Sequence, residues 1–247
     1  MKFIVSKDYQ HCSAMVSHLI EGTLKQKKDA WIALPSGQTF DGMYEQLVQA
    51  YTQHEVDFSM AHFVLVHEYV GIGHHHPASV YQNLKQRFFD PCKISLDHVH
   101  AYDGLADPSF ESRAFNQFMD AVGAMDLIVT GIGLNGHMAY NQPTDELYPR
   151  IHTEYLDESS RQRLSYQFDD INEVPNLTLT LGIQDLLNSK KLVILASGSE
   201  KSTMVKLLVD SKTLNTKFPV SFVHLHMNAV VCADQGAALE TGIRVEV

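Results

Sequence analysis

The sequence predicts an α/β protein, a mostly parallel sheet with helices on both faces. Two observations predict it. The apolar residues fall in short continuous runs rather than alternating ones, which suits strands covered on both sides. Amphipathic helical stretches separate those runs, and strands that alternate with helices build parallel sheets.

In chain order, residues 1–6 read as a strand and 9–27 as a helix. Residues 30–34 (AWIAL) form a buried strand, with a helix over 39–54. Residues 63–66 (FVLV) form the next strand, followed by helices over 79–88 and 109–122. Residues 126–130 (DLIVT) are a strand, then come a short helix over 183–188 and a strand over 191–196 (KLVILA). A helix over 201–207 and strands over 220–225 and 229–232 complete the pattern. No repeat, low-complexity segment or linker divides the chain, so one domain over residues 1–247 is the simplest reading.

Composition narrows the function classes. Of 247 residues, 45% are hydrophobic and 19% charged, which supports a large core and argues against disorder. The formal net charge of -10 repels nucleic acid, and no basic run offsets it. Cys12, Cys92 and Cys232 lie far apart with no CxxC pair. They read as free, mostly buried thiols in a reducing compartment, which points to the cytoplasm. The amino terminus does not read as a signal peptide, and no segment approaches the roughly 20 apolar residues of a membrane span.

Ligands of open α/β sheets bind beyond the carboxyl ends of the strands, so the residues after each apolar run carry the chemistry. Pro35-Ser36-Gly37-Gln38-Thr39 opens a helix after AWIAL. Its N–H groups and the positive helix end suit an anion, although a plain capping turn at Ser36 or Thr39 has the same look. Ser197-Gly198-Ser199-Glu200-Lys201 is a second such turn, and Lys201 supplies a point charge for phosphate or simply a solvated helix start. His67 and Glu68 follow FVLV and are acid/base candidates. A zinc HExxH motif fails because residue 71 is Gly, and adjacent His74, His75 and His76 suit one tetrahedral metal poorly. Gly131, Gly133 and Gly136 match GxGxxG, but Pro143 interrupts where a dinucleotide fingerprint needs a long helix. The better reading is a tight turn that presents His137 to a ligand. Two phosphate-friendly turns and two histidine-bearing turns together favour a phosphorylated small molecule.

The order of these motifs resembles the glucosamine-6-phosphate deaminase/isomerase family. The wider group includes galactosamine-6-phosphate isomerases and 6-phosphogluconolactonases. The likeness runs from Leu34-Pro35-Ser36-Gly37 through Glu68-Tyr69-Val70-Gly71 and GIGLNGHMAYNQP (131–143) to Gly198-Ser199-Glu200-Lys201. It implies a modified Rossmann-like sheet and neither metal nor organic cofactor. It also implies ring opening, proton movement from C2 to C1 through an enediol, and loss of ammonia to give fructose 6-phosphate. By the same resemblance Ser36, Gly37, Thr39 and Lys201 hold the phosphate, with Gln38 alongside, and His137 opens the ring.

The departures from the family pattern concern charge. His67 stands where the family usually has the Asp that is the base at C2. Asn135 stands where Asp is common, and Gln142 where a Glu supports the ring-opening histidine. Tyr166 stands where a phosphate-binding arginine is expected, with Arg161 and Arg163 nearby. The sequence ends before the C-terminal segment of the long, allosterically controlled relatives, so that regulation is not expected. Two readings follow: an enzyme in which His67 shuttles the proton, and a catalytically weak sugar-phosphate-binding protein or regulator. The sugar epimer stays open, and a homo-oligomer is compatible with the sequence.

Overall fold

A computed structural model describes residues 1–245. In chain order the elements are β1 (Lys2–Ser6), α1 (Tyr9–Gln26), β2 (Trp31–Leu34), α2 (Asp41–Thr52), β3 (His62–Leu65), β4 (His67–Tyr69) and α3 (Val80–Leu84). They continue with β5 (Val99–His100), α4 (Pro108–Val122), β6 (Leu127–Gly131), β7 (His152–Tyr155), α5 (Glu158–Leu164) and β8 (Leu177–Thr180). The last are α6 (Ile183–Leu187), β9 (Leu192–Ala196), α7 (Ser202–Asp210) and β10 (Ala229–Asp234).

Seven strands form one sheet in the order β1-β10-β9-β6-β2-β3-β5, and every pairing in it is parallel. Every residue of β9 and β10 is buried, so both faces of the sheet are covered, as the continuous apolar runs require. The chain runs outward through β2, β3 and β5, then returns to the other side of β2 for β6, β9 and β10. The strand order therefore reverses between β2 and β6, the place where open α/β sheets leave a crevice.

Helix starts follow the local sequence. Asp8 caps α1 by accepting the His11 N–H at 2.9 Å. Asp107 caps α4 from the Phe110 N–H at 2.8 Å, with Pro108 in the first turn and Gly123 at φ +83° after the end. The three cysteines are free and buried, as read from the sequence. No described helix is long and apolar enough to cross a membrane.

Two expectations change. The run at 220–225 is not a strand: Pro219–Leu225 is a 3-10 helix. Val220 and Val223 share its buried side at the three-residue spacing of that helix, and Pro219 lacks the N–H a strand ladder needs. The segment after β3 is not a loop either. The chain leaves the main sheet at Val66, and β4 starts a second, antiparallel sheet in the order β4-β8-β7. That sheet places His67 opposite Thr180 and Tyr69 opposite Thr178.

The loop after β4 is pinned by Gly104. Its carbonyl accepts the Gly71 N–H at 2.7 Å, and a Cβ there would stand 2.2 Å from the Ile72 carbonyl oxygen and 2.4 Å from that of Tyr69. Gly104→Ala is therefore expected to destabilise the protein by about 2 kcal/mol, read from the urea midpoint at unchanged slope.

Candidate active site

A cavity of about 670 Å³ opens at the carboxyl ends of β2, β6 and β9, three neighbours in the sheet. Ser36, Gly37, Gln38, Thr39, His67, His137 and Lys201 all line it. The two glycine turns face it with the same architecture. Gly37 at φ +126° and Gly198 at φ +92° each precede a 3-10 turn that runs into α2 and α7. Only glycine takes such angles without strain. Among the described residues, the N–H groups of Gly37, Gln38 and Thr39 make no hydrogen bond within the protein, nor do those of Ser199 and Glu200. Open amides at the positive end of a helix are an anion site. The Ser36 hydroxyl donates to the Asn83 side chain at 3.0 Å, and the Gly198 N–H turns away to the Asp234 carboxylate at 3.2 Å. The cradle is thus mostly backbone.

Two cations line the same cavity. Lys201 is buried, and its Nζ donates to the Ile132 carbonyl at 2.7 Å. Burial, with the Arg163 charge added, pushes its ammonium down to about 8. Arg163, carried by α5, lines the cavity and forms no ion pair among the described residues. Arg161 turns aside, donating to the Ile171 carbonyl at 3.0 Å and pairing with Glu158 at 3.8 Å. Tyr166 lies on the cavity rim.

The titratable rings line the same cavity, and His137 lies within the field of those cations. His67 is buried, with Nε2 unpartnered, and burial pushes its imidazolium down to about 3, His137 adding to the shift. His137 sits against Gly133, where a Cβ would meet its ring at 2.3 Å. Burial lowers it to about 4, with the Lys201 charge next in effect. Both imidazoles are therefore neutral at neutral pH and able to accept a proton. Tyr140 stands between them, its ring 4.8 Å from that of His67 and 5.6 Å from that of His137.

Asn135 and Gln142 lie off the cavity wall, next to His137. Asn135 Oδ1 accepts the His137 N–H at 3.1 Å, and its Nδ2 donates to Gln142 Oε1 at 2.8 Å. Gln142 touches the His137 imidazole, yet His137 Nδ1 and Gln142 Nε2 are both buried without a hydrogen bond. Glu68 is spent structurally: its carboxylate accepts the N–H groups of Tyr69, Val80 and Tyr81 and the Ser79 hydroxyl, tying β4 to the start of α3. It offers nothing to the cavity. His74 and His76 diverge, one bonding the Tyr102 carbonyl and the other accepting from the Ala78 N–H. No cluster of three His, Cys, Asp or Glu among the described residues is arranged to hold a metal ion.

Sequence reasoning left Tyr69 and Tyr140 without a role, although both lie inside quoted motifs. The signal was their spacing from a candidate histidine, two after His67 and three after His137.

Buried neutral histidines make stability depend on pH. In the unfolded chain each histidine titrates near its ordinary value of about 6.5. In the folded protein His67 and His137 titrate near 3 and 4, so between about 4 and 6.5 the unfolded state binds more protons. Stability is thus full above about 6.5 and falls as the pH drops through that window, by up to about 1.4 kcal/mol per pH unit for each histidine. Urea unfolding at several pH values checks this, and His67→Gln should flatten the dependence.

The sequence profile of the family described as glucosamine-6-phosphate isomerases/6-phosphogluconolactonase matches residues 7–232. The glucosamine-6-phosphate deaminase of Oceanobacillus iheyensis is 34% identical over 239 residues, covering 96% of this chain and 95% of its own. The glucosamine-6-phosphate deaminase 1 of Bacillus subtilis is 32% identical over 239 residues, covering 96% and 98%. A solved structure of a monomeric glucosamine-6-phosphate deaminase superimposes with a TM-score of 0.93 at 32% identity, over 97% of this chain and 99% of that one. The strand order, the two glycine turns and this full-length similarity agree: the chain belongs to the glucosamine-6-phosphate isomerase/6-phosphogluconolactonase family.

Proposed function

We propose that the protein is an aminosugar-6-phosphate deaminase/isomerase acting on glucosamine 6-phosphate or its galactosamine epimer, with an altered acid/base set. One observation carries the reading. Five open backbone N–H groups, Lys201 and Arg163 line a cavity that also holds two neutral imidazoles. A sugar phosphate fits that set of groups, with its phosphate at the turns and its anomeric end at the histidines. The cradle is the set Ser36, Gly37, Gln38, Thr39 and Lys201, joined by Arg163. In this reading His137 moves the proton that opens the ring, and His67, with Nε2 free, accepts the proton from C2. Asn135 and Gln142 orient His137 without charging it.

The test is to incubate the protein with each epimer and assay ammonia and ketose phosphate. Formation of both products supports the reading. Absence of both with either sugar overturns it.

A second reading rests on a specific feature, the low basicity of His67. A base held near 3 accepts a carbon-bound proton poorly, which favours a sugar-phosphate binder or regulator. It predicts a melting temperature raised by sugar phosphates with no turnover.

A further inference from the structure

The Tyr69 and Tyr140 hydroxyls lie 3.2 Å apart, within hydrogen-bond distance, although the residues are 71 positions apart. Both line the cavity. Tyr69 is buried, while the open edge of Tyr140 is part of the cavity wall. The placement of Tyr140 is over-determined. The preceding residue, Ala139, sits at φ +53°, a conformation costly without glycine, and is held by its N–H to the Thr130 hydroxyl at 3.1 Å. The Tyr140 N–H donates to the Thr180 hydroxyl at 3.2 Å. Strain of this kind at a cavity wall marks a side chain that is aimed.

Burial pushes both phenols above their ordinary range, so each keeps its proton and acts as a donor. Neither imidazole carries a positive charge at neutral pH. A protonated phenol is a neutral donor placed to meet an oxygen that becomes anionic between the two rings.

We propose that Tyr140 is a catalytic residue whose phenol, backed by Tyr69, donates a hydrogen bond to the substrate oxygen on C1 in the enediol step. This rests on the proposed function. The C2–H electron pair forms the C1–C2 double bond, and the carbonyl π pair moves onto the C1 oxygen. The proton from C2 rides on His67 Nε2 and returns at C1 as the nitrogen lone pair forms a C2=N bond. The proton shed by the C2 ammonium goes to the C1 oxygen, and water then hydrolyses the imine to the ketose and ammonia. The phenol keeps its proton and stabilises the oxyanion through the hydrogen bond alone, as preorganised donors do. Its ring lies between the imidazole assigned to C2 and the one assigned to ring opening, and the C1 oxygen belongs between those two groups.

The test is Tyr140→Phe, which removes the hydroxyl and keeps both ring contacts. Two ligands are titrated against the wild type and the variant: inorganic phosphate and a phosphorylated aldonohydroxamate, a stable mimic of the enediolate. The expected result is hydroxamate affinity reduced by roughly 30-fold with phosphate affinity unchanged, and kcat reduced by a similar factor with KM nearly constant. Unchanged phosphate affinity also shows that the variant is folded. Tyr69→Phe, which removes the backing hydroxyl, should give a smaller loss in the same two readouts. Equal hydroxamate affinity in Tyr140→Phe and wild type overturns the proposal. The hydroxamate titration needs no turnover, so a wild type that binds it yet makes no product overturns the proposed function separately.

Discussion

The double variant His67→Asp with Gln142→Glu should raise the turnover of glucosamine 6-phosphate by roughly 100-fold. The magnitude is scaled down from the roughly 10⁴-fold effect of the orienting carboxylate in a serine protease triad. The site now holds two neutral imidazoles, at about 3 and 4, beside two cations, Lys201 and Arg163. Of the charges acting on His137, Lys201 and Arg163 oppose its protonation and Asp157 favours it. A carboxylate at 142 accepts a hydrogen bond from His137 Nδ1, which is buried and unpartnered in the wild type. It also raises the basicity of that imidazole through an opposite charge in direct contact. A carboxylate at 67 supplies an anionic base where the proposed function places the substrate C2. The cost is a cavity where the larger imidazole packed against Tyr140, so the variant should also melt at a lower temperature. Steady-state ammonia release decides the matter. No gain over the wild type would show that these substitutions do not limit the reaction.

Lys201→Ala should weaken binding of a sugar phosphate by roughly 100-fold and Arg163→Ala by roughly 10-fold, with kcat affected less than KM. Lys201 has the larger effect because it is buried and oriented by the Ile132 carbonyl, so little ordering remains to be done on binding. Arg163 is exposed on α5 and must be ordered by the ligand. The Lys201 ammonium titrates at about 8 in the free protein and is charged below that pH. Phosphate affinity should therefore hold at neutral pH and decline as the pH rises past 8. In Lys201→Ala that decline should vanish. Calorimetric titration with inorganic phosphate at two pH values reads both effects. An alanine variant that binds like the wild type would remove the lysine from the cradle.

Much of the fold was legible because parallel strands buried on both faces announce themselves locally. The runs AWIAL, FVLV, DLIVT and KLVILA became β2, β3, β6 and β9 with boundaries shifted by about one residue. The second sheet was not legible. Its strands are three or four residues long, too short for a periodic pattern, and β4 pairs with a segment more than 100 positions away. The run at 220–225 misled for a related reason. An apolar stretch of that length serves a strand or a tight helix equally, and Pro219 together with the core contacts of Val220 and Val223 settled it.

The sequence by itself determined the fold class, the two glycine turns, and the three positions, 67, 135 and 142, where neutral or basic side chains meet a family pattern of acids. These are properties of residues near one another in the chain: apolar runs, a glycine that permits positive φ, a side chain present or absent. Only the tertiary structure decided which charges reach the ligand and which groups keep their protons. It brought Arg163 to the cavity and turned Arg161 away, and it set Glu68 to holding α3. It drew Tyr140 to Tyr69 and silenced the charge on His67 and His137 by burial. Desolvation and through-space fields depend on everything packed around a group, and most of what surrounds these groups is distant in the chain.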